Sequence, residues 1–484
     1  MLIVQNGYEC DYEMKLFYKL FFDVDEDIYV YSNFEYKDNI INVYTEIIYK
    51  DDTYTEDYYY KFDAENQKKQ FIKKIFTASC TKSFCHAAKK IKNINLPWGV
   101  MCGIRPAKIV RELMEEGYND KEVVKILKDI YEVSDEKIEL AHTVAKNEQL
   151  LLGQIGKNSV SVYIGIPFCP TRCLYCSFVS TDIRVSGKYM DEFILKLLLE
   201  IDKTAEIIKK MGAYVENIYI GGGTPTALEP YHLKSIFDRI KRNFNLTKIK
   251  EFTLEAGRPD TITREKLIEA KNGGVNRISI NPQTMNEITL KKVGRSHTPD
   301  MVKNCFYMAR EIGFDNINMD LIAGLPDETV DMFRYSIDEV IKLDPENITV
   351  HSMAVKRAAS LRFTDTELSK SKDMNDMLSY AQKRMEQTRR KPYYMYRQKN
   401  ISGNLENVGY AKDDFMSTYN INIMEEKQTI IALGGGGSTK LVMGDRIERI
   451  FNFKDPLEYI KRFNEILQKK DEILKIVGSE NNGK

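Results

Sequence analysis

"GIPFCPTRCLYC", residues 165–176, places Cys169, Cys173 and Cys176 in one short loop at spacings of four and three. It continues "VSVYIGI" (160–166), an apolar run of strand length. Structural zinc normally takes four ligands in a closed tetrahedron. The nearest further cysteines in sequence are Cys102 and Cys305, and the chain has 5 histidines. A four-iron cluster on three thiolates leaves one iron open to bind another molecule, which accounts for the missing fourth thiol. The spacing suits an irregular turn around a bulky cube better than the CxxC knuckle of a zinc site. Zinc or inert thiols are the competing readings.

Downstream of 160, short apolar strands alternate with amphipathic helices. The predicted strands are "VSVYIGI", "VENIYIGG" (215–222), "EFTLEA" (251–256), "NRISI" (276–280), "NINMDLI" (316–322) and "NITVHSM" (347–353). Helices are predicted near 186–210, 230–243, 263–272, 284–293, 298–312 and 328–342. Successive β-α units imply a parallel sheet with right-handed crossovers, closed partly or fully into a barrel, with active residues at the strand C-termini. The cysteine loop, "GGGTP" (221–225), Glu255, Gln283, Asp320 and Ala354 all end or follow a predicted strand. The fold class is therefore α/β, a partial (β/α)6 barrel with an N-terminal α+β domain and a C-terminal α+β region.

The remainder organises around that barrel. Residues 1–75 are tyrosine-rich and acidic with alternating runs, and helical spacing fills most of 66–153, the last two helices opening on Asp or Ser caps. Trp98 reads as a core or domain-interface anchor. Past 360, "NISGNLENVGYAKDDF" (400–415) reads as loop, "QTIIALGGGGSTKLVM" (428–443) as strand, glycine turn and strand, and "DPLEYIKRFNEILQKKDEIL" (455–474) as a closing helix. The expected domains are 1–155, 156–358 and 359–484, the last packed over the barrel mouth to cover substrate.

A chain of 484 residues exceeds the ~250–300 of a single core, and 71 basic against 71 acidic side chains exclude a global pull onto nucleic acid or an anionic membrane. Asn6, Glu9, Asp11, Glu13 and Lys15 interrupt the N-terminal run, spoiling a signal peptide or spanning helix, so a cytoplasmic protein without membrane insertion is expected. Cys10, Cys80, Cys85, Cys102 and Cys305 are scattered and read as buried small hydrophobes.

The CxxxCxxC loop after a first strand, Tyr175 before the third cysteine, and "GGGTPT" after the second strand resemble the radical S-adenosylmethionine (SAM) enzymes. More narrowly, "VYIGIPFC", "NRISINPQ", "GRSHT" and "DLIAGLPDET" look like the oxygen-independent coproporphyrinogen III oxidase and haem chaperone branch. The likeness is closest to the HemZ type of coproporphyrinogen dehydrogenase, through "YRQKNISGNLENVGYA" and "MEEKQTIIALGGGGS". It covers roughly 160–450.

The resemblance implies a [4Fe-4S] cluster on Cys169, Cys173 and Cys176, with SAM on its open iron. Gly222, Gly223 and Thr224 would pass the methionine moiety, although a purely structural turn is an alternative, and a phosphate cradle lacks GK[ST]. Glu255 would contact the SAM amino acid or ribose, Gln283 the ribose hydroxyls, and Arg295 a carboxylate through its planar fork. Asp320 lies within an apolar strand, and Ile322 and Ala354 would shape an apolar wall. Tyr163 would lie by the cluster and SAM, and Tyr175 near adenine or a second SAM, with core packing as the alternative for both. His297 is either functional through its nearness to Arg295 or an unremarkable surface histidine.

The implied activity is that of a radical SAM oxidoreductase converting coproporphyrinogen III propionates to vinyl groups by oxidative decarboxylation, in porphyrin and haem biosynthesis. The alternative is a haem-binding chaperone that keeps the cluster and SAM site. Implied partners are a tetrapyrrole substrate or haem and an unidentified electron donor. Arg258, Lys356, Arg357 and Arg397 are candidate counter-charges for substrate carboxylates, or else solvated surface charges. Two positions depart from the oxidase pattern: Phe178 stands where a further cysteine is expected, and Gly165 where a histidine is.

Overall fold

The computed structural model describes residues 2–23, 26–65, 67–103, 105–178, 180–354, 371–398, 405–444 and 446–481. The chain forms two compact units, Met1–Ala145 with Tyr396–Glu406, and Lys146–Met395 with Asn407–Lys484. The helix Asp135–Leu152 runs through the first division, and the expected 358/359 boundary falls outside the described residues.

The larger unit is built on six core strands: Ser159–Ile166, Tyr214–Gly222, Glu251–Glu255, Arg277–Ser279, Ile317–Ala323 and Asn347–Ser352. They pair side by side in chain order, all parallel. Helices Met190–Lys210, Pro230–Asn243, Arg264–Asn272, Pro299–Ile312 and Val330–Leu343 make the crossovers, with Glu287–Lys292 a short addition after the fourth strand. The strands pleat into two chemically distinct faces. Ile164, Ile220, Leu254, Ile278, Leu321 and Ile348 are fully buried on one. Ser161, Asn217, Thr253, Asn318 and Thr349, also buried, carry polar side chains on the other, which becomes the interior of the curved sheet. Buried polar groups persist there because they bond to one another, as Asn217 Nδ2 does to Ser161 Oγ at 3.1 Å and Thr349 Oγ1 to Asn318 Oδ1 at 3.1 Å.

Among the described residues no closed barrel forms; the array is part of an open eleven-stranded sheet. Within 359–484, the described residues include two edge extensions of this sheet. Ile430–Gly434 adds in parallel beside the first core strand, followed by antiparallel Ser438–Met443 and Arg446–Phe451. Glu406–Ala411, expected as loop, pairs antiparallel with the sixth core strand, and Lys391–Arg397 lies outside it. The polar letters of "ENVGYA" disguised a strand: Asn407 Oδ1 accepts from Ser352 N at 2.9 Å, and a Cβ on Gly409 would stand 1.9 Å from the Tyr394 ring. Between these edges, Ser417 Oγ and Thr418 Oγ1 reach Glu251 at 2.8 and 3.2 Å, anchoring the helix Thr418–Glu425 near the start of the third core strand. The C-terminal helix is split into Pro456–Lys461 and Phe463–Asn481.

The smaller unit carries a four-stranded sheet, Leu2–Asn6, Ile28–Lys37, Ile40–Tyr49 and Asp52–Lys61, in sequential order with only the first pair parallel. Helices Asp11–Phe21 and Lys69–Ile91 accompany it, followed by Pro106–Glu115 and Asp120–Asp129. The last is capped by Asn119 rather than Asp120, in a reciprocal box with Glu122. Trp98, 1% exposed, donates from Nε1 to Glu406 Oε2 at 2.6 Å, and Glu406 Oε1 accepts from Lys137 Nζ at 2.7 Å. Arg397 lies over the Trp98 ring and donates to the Met101 and Gly103 carbonyls. It therefore serves this unit's core, not a substrate carboxylate as the sequence suggested. Among the described residues no helix is long and apolar enough to cross a membrane.

Candidate functional site

The cysteine loop leaves the first core strand through Phe168–Cys169, which pairs with Thr181–Asp182. Two neighbouring turns clamp it. Gly223 N donates to Ile166 O and Thr224 N to Phe168 O, both at 2.8 Å, and Thr224 Oγ1 lies 3.4 Å from Cys169 Sγ. A Cβ on Gly223 would stand 2.6 Å from Phe168 O and 3.0 Å from Cys169 Sγ, and Gly222 has φ +109°. The glycines are thus required by close approach and by left-handed backbone. On the other side Leu174 N donates to Val293 O at 3.1 Å, and Arg258 Nη1 reaches Thr171 O at 3.3 Å and Cys173 Sγ at 3.5 Å. Arg258 is itself gripped by Asp260 through Nε and Nη2 at 3.0 and 2.8 Å. This places Arg258 against a cysteine sulfur, away from the carboxylate-binding role suggested for it.

Cys169 and Cys173 are 9% and 7% exposed and Cys176 is half-buried. Burial pushes the Cys176 thiol up, and the charges of Cys173 and Cys169 add to the effect; a bound cation reverses that bias. Among the described residues no three His, Cys, Asp or Glu side chains converge on a single-ion position. A cluster needs no such convergence, because each thiolate attaches to its own iron.

Beyond the loop, the interior face carries an aromatic and acidic lining. Tyr163 and Tyr219 face each other at 6.2 Å and 20°, and Tyr219 stacks on Tyr419 at 4.5 Å and 20°. Tyr219 Oη donates to Glu255 Oε1 at 2.5 Å. Burial pushes the Glu255 carboxyl up to about 7, with Asp320 adding and Tyr219 and Arg277 opposing. Asp320 accepts from Asn318 Nδ2 at 2.7 Å and lies 3.7 Å from His351 Nε2. Burial raises its pKa, but His351 and Asn318 outweigh that and hold it below the usual carboxylate value.

Gln283 adopts φ +67°, donates its N–H to Asp320 O at 2.9 Å, and leaves Oε1 buried with no partner among the described residues. Arg295 differs from expectation. Its guanidinium donates to Asn281 O at 3.0 Å, Gly257 O at 3.1 Å and Tyr175 Oη at 3.2 Å, tying two strand ends to the cysteine loop. It offers no free carboxylate fork. His297 is buried, not superficial: Nε2 meets Pro282 O at 3.3 Å, Nδ1 has no partner among the described residues, and burial followed by Arg295 pushes its pKa down to about 3. Ile322 is buried and Ala354 half-buried, while Lys356 and Arg357 lie outside the described residues.

Both departures from the oxidase pattern have a physical setting. A Cβ on Gly165 would meet Gly435 O at 2.6 Å, because the glycine turn after Ile430–Gly434 lies against it, with Gly435 N donating to Gly165 O at 3.0 Å. Phe178 is 68% exposed. Sequence reading missed Tyr219, Arg277, His351 and Tyr419. The signal for the first three was period-two polarity within apolar strands; for Tyr419 there was none, since its placement depends on long-range packing.

Residues 163–340 match the radical SAM superfamily, the class that this parallel array and cysteine loop define. A relative from Bacillus subtilis, the oxygen-independent coproporphyrinogen-III oxidase-like protein HemZ, is 40% identical over 384 residues, covering 78% of this chain and 77% of the relative. The chain belongs to this family of HemZ-like radical SAM proteins. The B. subtilis haem chaperone HemW is 40% identical over 197 residues, 40% of this chain and 51% of HemW, so the chain matches about half of that relative. In fold, the chain is similar to Escherichia coli coproporphyrinogen III oxidase, HemN, with TM-score 0.52 and 21% identity, covering 66% of this chain and 72% of that one.

Proposed function

We propose that this chain binds a [4Fe-4S] cluster and SAM and catalyses oxygen-independent oxidative decarboxylation of coproporphyrinogen III propionates. The observation that carries the reading is the gathering of three clamped thiols, the glycine turn, Glu255 and the unpartnered Gln283 Oε1 at the C-terminal ends of adjacent strands. That donor set fits both groups: three thiolates without a fourth ligand, backbone exposed at Gly222 and Gly223, and a buried amide acceptor lacking a donor. When bound, cluster and SAM supply reductive cleavage of a sulfonium and the hydrogen-abstracting power that follows. Cys169, Cys173 and Cys176 would hold the cluster, with Arg258 donating to a ligand sulfur. Gly222, Gly223, Thr224, Glu255 and Gln283 would line the SAM, Glu255 receiving its ammonium or a ribose hydroxyl. Arg295 would act by fixing Tyr175, and Tyr163, Asp320 and Ala354 would complete the wall. The substrate would lose a hydrogen from the carbon β to the ring, then carbon dioxide and one electron to an external acceptor.

The alternative, a haem chaperone retaining the cluster, is favoured by one observation: backbone occupies the space at Gly165 where the oxidase pattern has histidine. Anaerobic reconstitution with reductant, SAM and coproporphyrinogen III separates the two. Protoporphyrinogen together with 5'-deoxyadenosine supports the enzyme. Deoxyadenosine without protoporphyrinogen, with stoichiometric haem binding and transfer to an apo-protein, supports the chaperone.

A further inference from the structure

Arg277 opens the fourth core strand and is 1% exposed. It pairs in register with Thr253, which pairs in turn with Tyr219, so the three lie in one row across the interior face. Its Nε and Nη2 have no hydrogen-bond partner among the described residues. Those two N–H groups form the edge of a guanidinium that grips a carboxylate side-on. Elsewhere in this chain the same edge is filled: Arg258 holds Asp260 at 3.0 and 2.8 Å, and Arg184 holds Asp182 at 2.9 and 2.5 Å. Arg277 presents the same fork with no carboxylate of the described residues in it.

The acids near Arg277 are engaged by other donors. Glu251 accepts from Thr253 Oγ1 at 2.9 Å and Ser417 Oγ at 2.8 Å, and Glu255 from Tyr219 Oη. Phenols and one carboxylate act on the position most strongly, Tyr393, Glu251, Tyr219 and Tyr394 all interacting electrostatically with Arg277, and Glu255 and Asp320 feel its charge as well, without any of these acids hydrogen-bonding to Nε or Nη2. Tyr419, stacked on Tyr219, has a buried hydroxyl without a partner among the described residues. A buried cation with two unmet donors is costly, and an anion seated in the fork relieves that cost.

We propose that Arg277 binds a planar two-oxygen anion, a carboxylate or bicarbonate, within the interior of the core sheet. The anion is either a free small molecule or a carboxylate arm of a larger ligand. The site does not depend on the decarboxylation chemistry proposed above, and its test reads binding rather than turnover.

The full-length, cluster-reconstituted protein is titrated with sodium formate and with sodium bicarbonate by calorimetry, against sodium chloride at equal ionic strength. Saturable binding is expected in the wild type, weakened about tenfold or more by Arg277→Gln, with Arg277→Lys intermediate because an ammonium lacks the fork. Displacement of formate by coproporphyrin III identifies the anion as an arm of the tetrapyrrole; binding without displacement identifies a free anion. Absence of saturable binding in the wild type, or unchanged binding in Arg277→Gln, overturns the proposal. Should the glutamine variant fail to fold, a crystal structure of the wild type with formate decides: planar density against Nε and Nη2 is expected, and ordered water alone overturns it.

Discussion

Alanine at Gly165 tests whether the glycine turn closes that position. The new Cβ would stand 2.6 Å from Gly435 O and 3.3 Å from the Tyr163 ring. To reach ordinary contact the carbonyl must retreat by roughly 0.8 Å. Little around it can give. Gly435 N donates to Gly165 O at 3.0 Å, Gly434 N to Glu200 Oε2 at 2.8 Å, and Gly436 N to Phe453 O at 2.8 Å. Gly434 itself has φ +76°, and its own Cβ would lie 2.2 Å from Gly165 O, so the turn is already at its closest approach. Overpacking costs about 1–3 kcal/mol, and losing the Gly435–Gly165 hydrogen bond adds about 1 kcal/mol. Gly165→Ala should therefore lose about 2–4 kcal/mol in urea unfolding at an unchanged m-value, and Gly165→His, with a longer side chain, should lose more. An alanine variant within about 0.5 kcal/mol of wild type, the range of an ordinary surface change, would refute the closure of this position.

Three further outcomes are expected. Serine at Cys169, Cys173 or Cys176 should abolish the broad visible absorbance and take iron from about four per chain toward none, whereas Cys85→Ser and Cys305→Ser should leave iron unchanged in a ferrozine assay. Arg258→Gln removes an N–H donor from Cys173 Sγ, a proposed cluster ligand, and leaves half-buried Asp260 without its guanidinium partner. It should lower the reduction potential of the proposed cluster in an EPR-monitored titration and cost about 1–3 kcal/mol of stability. Glu255, pushed up to about 7 by burial, holds its proton in the folded chain where the unfolded chain has released it. Its contribution is fully present below the unfolded value near 4.5 and is lost as pH rises through about 7. Glu255→Gln should remove that downward slope, about 3 kcal/mol across the window, in stability measured on the cluster-free protein; parallel pH profiles for the two proteins would contradict it.

The core strands were legible because their helix-facing residues are apolar and their spacing repeats: six predicted strands and their crossover helices recur within a few residues of the runs that suggested them. The cysteine loop and the glycine turn were legible as local patterns, and the clash built at Gly223 supplies the reason for the pattern. What local reading lost was long-range. Glu406–Ala411 hid as loop because Asn407 and Gly409 exist to satisfy Ser352 and to clear Tyr394, neither adjacent in sequence. Arg295 read as a carboxylate fork because a side chain's partners do not show in its letter, and here they are three oxygens brought together by two strand ends and a loop. Arg397 failed for the same reason, held in the Trp98 cluster of the smaller unit to which both belong.

The interior face explains how one scaffold supports either a decarboxylase or a chaperone. The thiols and their clamps depend on backbone geometry at the strand ends, where Gly223 and Thr224 fix the loop whatever the ligand. Selection of a tetrapyrrole must instead come from side chains that contact it, and of those nominated from sequence the two among the described residues are committed elsewhere: Arg258 to a cysteine sulfur, Arg397 to Trp98. The position where the oxidase pattern has histidine holds backbone, and the expected fourth cysteine is a solvent-facing phenylalanine. An interior cation with an open fork therefore remains the strongest discriminator among the described residues. A propionate seated on Arg277 would bring a tetrapyrrole arm into the same polar interior as Glu255 and Gln283, whereas a free anion there would leave the tetrapyrrole to bind at the rim, where a chaperone could hold haem without exposing it to hydrogen abstraction.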